Sequence, residues 1–264
     1  MATSPLYIDR RKSGLRVRDV FFAEGVAQLP PSAADLLYFL QSPIAAPGST
    51  DFYTSLIDLR PDEKALLEGI HKGVRYEIRR ARDKDGLDAV FCKPEPAQLD
   101  RFFSFYDAFA ASRSLSPANR NKLRALREAS ALELAWIADP IAPDGPWLCA
   151  HAYVVDGRRA RLYHSASPVD EAATADRQRI GRANKLLHWQ ALQYFKASSF
   201  SCYDMGGISL GDELKAIDDF KRSFGGELVR EFNRIEAASL RGHIALALLA
   251  LRERLTRRAG KDVP

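Results

Sequence analysis

Three apolar runs, at residues 132–139, 147–155 and 161–166, follow one another with no helical spacing between them. The last two meet at Val154-Val155-Asp156-Gly157-Arg158, and Asp-Gly favours the two-residue turns whose twist matches paired strands. An antiparallel meander therefore lies in the middle of the chain, and whatever precedes and follows it has to cover its faces. Further strands are expected at 15–22, 52–59, 87–93, 200–205 and 227–235, with helical spacing at 33–40, 61–84, 94–112, 117–130, 180–197, 213–224 and 237–257. Pro61-Asp62-Glu63 and Ser116-Pro117 read as helix starts. The mixed order predicts an α+β fold, a mixed and mostly antiparallel central sheet flanked by helices, rather than a doubly wound parallel one.

With 264 residues, 46% of them hydrophobic, the chain is long and apolar enough to bury a core, which excludes a disordered or fibrous protein. The longest apolar run, 244–251, falls far short of the roughly 20 residues a membrane span needs. Residues 1–14 contain no apolar stretch that would serve as a signal peptide, so a cytoplasmic protein is expected. Cys92, Cys149 and Cys202 are odd in number and far apart, which suggests buried thiols rather than disulfides or a metal site. Loops are expected at 43–49 and 140–146. The expected organisation is a short N-terminal lobe at 1–50, a main domain at 51–237 and a basic C-terminal helix at 238–264.

The net charge of +5 is concentrated in two places. Residues 71–84 carry +4 and residues 239–264 carry +4, on a mildly acidic remainder. Such segments either meet anionic partners or form solvated helix faces.

Two segments are candidates for chemistry. Gln178-Arg179-Ile180-Gly181-Arg182-Ala183 fits Gln/Arg-x-x-Gly-x-Gly/Ala at an expected helix start after a strand and loop. Small residues there would let backbone N–H groups approach a pyrophosphate, with Arg179 and Arg182 adding charge, or Gly181 serves only close packing. Tyr203-Asp204-Met205-Gly206-Gly207 ends a strand in a glycine turn where backbone can line a ligand, and Phe220-Lys221-Arg222-Ser223-Phe224-Gly225-Gly226 closes a short helix on a second glycine pair. Phe220 and Phe224, spaced i, i+4, belong to a core face.

Those two segments, with Leu187-His188-Trp189-Gln190-Ala191-Leu192 before them, resemble the C-terminal half of the Fem family. These are the aminoacyltransferases of peptidoglycan cross-bridges, with acyl-CoA-type relatives in polysaccharide biosynthesis, built on the GNAT N-acetyltransferase fold. Gly73-Val74-Arg75-Tyr76-Glu77-Ile78-Arg79-Arg80-Ala81 resembles the family's basic helix, and the likeness runs over about residues 52–235. The resemblance implies that Lys221 lies at the reaction site, that the helix from Gly181 flanks the acyl-donor cleft, and that Arg75 and Arg79 meet anionic phosphates. Unlike Fem enzymes, the chain has no room for two complete GNAT lobes and no helical hairpin of the kind associated with a tRNA-linked donor. The expected donor is therefore acyl-CoA, acetyl-CoA first, with no metal. The expected acceptor is an amine or hydroxyl of a cell-envelope saccharide, lipid-linked glycan or peptidoglycan precursor; tRNA enters only if the donor is aminoacyl.

In such a transfer Lys221 would stabilise developing negative charge, Asp204 or His164 would take the proton, and backbone N–H groups after His164 would bind the oxyanion. Tyr203, Gly206 and Gly207 would line the substrate. The apolar run at 244–251 with its basic flanks would either dock on an anionic membrane surface or pack on the core. Rival readings are a nucleic-acid-binding module using residues 72–84 and a catalytically inactive GNAT scaffold.

Overall fold

The computed structural model describes residues 5–24, 29–168, 174–211 and 215–259 and, within these, every side chain but those of 143–144, 174–175 and 252–259. It divides into two compact units, Met1–Phe52 with Arg230–Pro264, and Tyr53–Val229.

In the first unit β1 (Leu6–Lys12) and β2 (Leu15–Phe21) form an antiparallel hairpin, and β2 runs parallel to β3 (Leu36–Ser42). At the end of the chain β10 (Glu227–Ala237) pairs antiparallel with β3, and α7 (Leu240–Ala259) follows. Sequence spacing missed β1, four of whose seven residues are charged, although Ser13 and Gly14 (φ 49° and 78°) make the turn that a two-residue hairpin needs. It also assigned 33–40 to a helix, whereas Leu36–Ser42 is a strand. A continuous run such as Leu36-Leu37-Tyr38-Phe39-Leu40 carries no period, and pairing on both sides decided it.

The second unit runs β4 (Thr50–Asp58), α1 (Glu63–Gly69), α2 (Lys72–Asp83), β5 (Val90–Cys92), α3 (Pro96–Ser112), α4 (Arg120–Glu128), β6 (Leu132–Asp139), β7 (Ala142–Val155), β8 (Arg159–Ala166), α5 (Thr174–Ala197), β9 (Cys202–Gly207) and α6 (Lys215–Arg222). Its strands lie in the order β4-β9-β8-β7-β6-β5, antiparallel except for β8 beside β9. The meander is as expected: Asp156 Oδ1 accepts from the N–H groups of Arg158 and Arg159, and Gly157 takes φ 85° in the turn. The fold class is α+β, with a mixed, mostly antiparallel sheet flanked by helices.

Two expectations are corrected. Residues 140–146 are not a loop: β6 turns at Pro140 and Ile141 and β7 begins at Ala142, with register shifts that absorb the prolines. The helix expected over 61–84 is broken at Ile70 and His71, both extended, where His71 Nδ1 caps α2 and its N–H donates to Ser223 O at 2.8 Å. The expected start of α6 at Glu213 lies outside the described residues.

The core of this unit packs α2 and α5 on one face of the sheet, with Ile78, Ala183, Leu187, Phe195, Tyr153, Leu162 and Tyr203 all buried. Each such large side chain stabilises the unit by roughly 1.5–3 kcal/mol over leaving it in water. Cys149 is buried, while Cys92 and Cys202 are half-buried; all three are free thiols.

Candidate active site

Glycines and aromatics position the ends of the elements. Phe220 of α6 and Phe224, two residues past its end, pack on the ring of His188 from α5, at 5.4 and 5.0 Å between centroids. Gly225, at φ 81°, lies against the Gly69 carbonyl, and a Cβ at Gly226 would overlap Ser55 Oγ, so both positions exclude a side chain. Lys221, on the same short helix, donates from Nζ to Gly207 O at the end of β9. Burial lowers the Lys221 pKa, opposed by the charges of Asp218 and Asp204.

β8 and β9 pair at only three positions, Arg159 with Cys202, Ala160 with Tyr203 and Arg161 with Asp204. Beyond them β9 turns at Gly206, whose φ is 79° and whose missing Cβ would sit 2.9 Å from Leu162 O. Two parallel strands thus part in mid-sheet, with Lys221 beside the opening. Asp204 sits below it, fully buried, accepting from Thr54 Oγ1, from the Gly206 N–H at 2.8 Å and from Arg159 at 2.6 Å, with Arg161 at 3.9 Å. Burial alone would raise its pKa; the guanidinium charges of Arg159 and Arg161 and the hydrogen bonds outweigh that and hold it below the ordinary value.

On the α5 side, α2 and α5 enclose a groove of about 450 Å³ lined by Tyr76, Glu77, Arg80, Arg177, Gln178, Gly181, Arg182 and Lys185. A second groove of about 710 Å³ adjoins it through Tyr76 and Arg80 and adds Arg79, Asp83, Lys84 and Asp85. Nothing lies within 4 Å of where a Gly181 side chain would start, so this glycine keeps the groove open rather than allowing close packing.

Residues 70–222 match the sequence profile of the family described as Acetyltransferase (GNAT) domain, more than half of the chain. The chain belongs to the GNAT acetyltransferase family. Among solved structures, FemX superposes with a TM-score of 0.55 at 13% identity, covering 81% of this chain and 65% of FemX, somewhat under two thirds of its length. L-PGS from Bacillus licheniformis superposes with a TM-score of 0.51 at 12% identity, covering 91% and 84%. At such identities these likenesses speak to the fold alone. No curated protein sequence matches. The expected GNAT family and fold are borne out, residues 70–222 form an acyltransferase domain of that family, and the Fem-type part of the resemblance holds for the fold.

Within this GNAT domain the residues singled out from sequence fall into separate groups. Gln178, Gly181 and Arg182 line the groove, one helical face. Ala183 is buried in the core, and Arg179 is clamped to Asp139 at 2.6 Å. Arg182 itself is paired with Asp85 at 2.6 Å. The expected helix start at 180 is corrected, because α5 begins at Thr174; the N–H groups of 178–183 lie past the first turn and are engaged within the helix. Contact with phosphates in this groove would have to come from side chains rather than a backbone cradle. Arg79 lines the second groove, while Arg75 lines neither. Asp204, Gly206, Gly207 and Lys221 are brought together, and Tyr203, one residue off, points into the core.

His164 reaches the Asp204 face by an irregularity. Ala152 faces His164 while Tyr153 faces Leu162, so Tyr163 is an extra residue in β8. Three residues after Arg161, His164 would otherwise point to the opposite face; the bulge returns it to Arg161's side. The irregularity lies before His164, not after it as sequence suggested. There His164 packs on Tyr106 of α3 at 4.3 Å, with a buried Nε2 that has no hydrogen-bond partner. Burial, then the charges of Arg161 and Lys122, lower its pKa to about 4, so it is neutral at pH 7.

Sequence reading missed Arg159 and Arg161. Their i, i+2 spacing on a strand was the available signal, but only the register places them on Asp204. It also missed a buried polar chain behind the site. With the Asn184 amide oxygen as acceptor, His151 Nε2–H donates to Asn184 (2.8 Å) and Tyr153 OH donates to His151 Nδ1 (2.7 Å). Tyr203 OH then donates to Tyr153 (3.2 Å) and His188 Nδ1–H to Tyr203 (2.9 Å). No group of three or more His, Cys, Asp or Glu able to hold a metal occurs among the described residues.

Proposed function

We propose that this acyltransferase moves an acyl group from acyl-CoA, acetyl-CoA first, onto an amine or hydroxyl of a cell-envelope saccharide or peptidoglycan precursor that itself carries an anionic group. The observation that carries the reading is the parting of β8 from β9 with cations on both faces of the sheet. On the α5 side Arg80, Arg177, Arg182 and Lys185 face a groove that holds one acid, Glu77. That excess suits a pyrophosphate, held by arginine forks rather than backbone. On the other face Arg159, Arg161 and the buried Lys122 gather around Asp204 and Tyr163, which suits an anionic acceptor.

The reacting thioester carbonyl would lie between the parted strands. The acceptor nitrogen or oxygen bonds to the carbonyl carbon, the C–S bond breaks, and the acceptor's proton leaves. Lys221 would donate to the developing oxyanion from its place beside Gly206 and Gly207. His164, neutral and with Nε2 unfilled, would accept the acceptor's hydrogen. Asp204 has its lone pairs engaged and would act as a positioning residue that holds Arg159 and Thr54 rather than as the base.

Gly181→Glu is the selective probe of the donor groove. It puts a carboxylate into open space and improves helix propensity by about 0.5–1 kcal/mol, so folding is preserved. Calorimetric titration with acetyl-CoA and with free CoA should show binding to the native protein, weakened at least about tenfold by Gly181→Glu and retained by Gly181→Lys. Absence of binding to either compound would end the CoA reading and favour an aminoacyl ester carried on tRNA. That second reading is supported by the adjoining groove, lined by Arg79, Arg80 and Lys84 against Asp83 and Asp85 and larger than a pyrophosphate requires. Lys221→Met should then lower kcat about 10²–10³-fold on the first acceptor found in an amino-sugar panel, with little change in donor affinity. Unchanged turnover would remove Lys221 from the reaction site.

A further inference from the structure

α7 presents an apolar stripe to solvent. Leu240, Ile244, Leu248 and Leu251 are 77, 54, 61 and 54% exposed. At 3.6 residues per turn these four fall within an arc of about 80°, one straight line along the helix. Gly242 is buried and Leu246 half-buried, and both lie on roughly the opposite side. Near the root the body-facing side of the helix is thus accounted for, with the stripe turned away from it; farther along, Leu249 on that side is exposed too, at 47%. The root is firmly held: Ser239 Oγ donates to Asp35 Oδ1 at 2.8 Å, the Ala238 N–H donates to Asp35 O at 2.9 Å, and a side chain at Gly242 would overlap that same carbonyl. Past it the helix leaves the body, and every residue from Ala247 to Leu251 is exposed.

We propose that α7 is an in-plane anchor for an anionic lipid surface. Exposed apolar side chains in a row on a rigid, well-rooted helix call for an apolar medium on that side. Charge selects which. α7 carries Arg241 and His243, both exposed, and continues with Arg252, Arg254, Arg257 and Arg258 against Glu253, the one acid within the helix. A leaflet with acidic headgroups satisfies both features, the stripe entering the acyl boundary and the arginines remaining among the phosphates. The helix is too polar to cross: among the described residues no helix is long and apolar enough for a membrane span. A second copy of the chain fits less well. A stable pair needs about 800 Å² and some 20–30 residues per partner, and a row of four aliphatic side chains supplies a fraction of that.

The proposal does not depend on the acyl-transfer chemistry, and its test reads only partition. Sedimentation with vesicles of phosphatidylcholine alone and of phosphatidylcholine mixed with phosphatidylglycerol should show the intact protein binding the mixed vesicles about tenfold better, with the preference lost in high salt. Leu248→Asp should weaken binding about tenfold, whereas Ala250→Asp, also exposed but off the stripe, should weaken it far less. Unchanged thermal melting of both variants keeps the comparison clean, since neither position is packed. Equal binding to both vesicle types, no binding, or equal losses in the two variants would overturn the proposal. So would a concentration-dependent dimer, seen by sedimentation equilibrium without vesicle binding and abolished by Leu248→Asp, which would give the stripe to a second copy.

Discussion

Asp204→Asn is expected to destabilise the protein by about 3–5 kcal/mol, the largest loss from any single substitution at the site. The carboxylate is the counter-charge for Arg159 at 2.6 Å and lies 3.9 Å from Arg161, and it is fully buried. Removing it takes the buried counter-charge away from two largely buried guanidinium groups at once. Thermal or urea unfolding of the purified variant measures the effect. At roughly 2–4 °C per kcal/mol for a chain of this size, the melting temperature should fall by about 10 °C. Replacing both partners, Asp204→Leu with Arg159→Met, should recover a good part of the loss, because the pair is then absent rather than broken. A loss under about 1 kcal/mol, together with an altered pH–rate profile, would instead make Asp204 the general base of the transfer.

Mild acid should be nearly as damaging. Burial lowers the pKa of His151 to about 4, opposed by the hydrogen bond to Asn184, and that of His188 to well below its ordinary value, with His151 and Lys221 adding to the effect. His164 behaves alike, at about 4. An unfolded chain takes up protons on these rings near pH 6.5, while the folded one holds out. Between those limits the unfolded state binds more protons, so stability falls as pH is lowered from about 6.5, and for His151 and His164 the loss stops growing near pH 4. Each of these two contributes up to about 3 kcal/mol by then. The paired carboxylates give up their contributions only below the unfolded carboxylate pKa of about 4, so the interval from pH 6.5 to 5 reports the histidines, opposed by Glu133, whose pKa burial raises. Urea midpoints at pH 7.5, 6 and 5 should decline steadily, and a flat series would contradict neutral burial of the rings.

The buried chain of Asn184, His151, Tyr153, Tyr203 and His188 explains why these rings tolerate burial at all. Both ring nitrogens of His151, both tyrosine hydroxyls and His188 Nδ1 have partners, and the rings gain dispersion contacts with Phe195, Phe220 and Phe224. In sequence its members are scattered from 151 to 203, and each alone reads as an ordinary core or strand residue. By contrast the reading of Phe220, Lys221 and Phe224 required only local spacing: two aromatic rings one turn apart must face the same core, which leaves the lysine on another side of α6. Gly206 and Gly225 were marked as turns for the same local reason, and both adopt positive φ.

The 178–183 motif shows the boundary between the two kinds of inference. Its spacing marks one face of a helix, and Gln178, Gly181 and Arg182 do share a groove. Whether its N–H groups are free depends on where α5 begins, and whether its arginines reach a ligand depends on Asp139 and Asp85, 40 and 97 residues away. His164 makes the same point more sharply, since a single extra residue in β8 moves it from one side of the sheet to the other.

Periodicity, turn chemistry and helix ends were therefore sufficient for the meander and for most of the helices, and the order of charges for two basic segments set apart from a mildly acidic body. These depend on interactions within about one turn or one hairpin, where the chain has few alternatives. Folding in three dimensions decided the rest: Leu36–Ser42 as a strand, the break before α2, the bulge at Tyr163, the partners of each arginine, and the stripe of α7 left facing water. Each of those turns on which distant segment arrives alongside. A single bulge or a one-residue change of register exchanges every contact, while the local sequence stays the same.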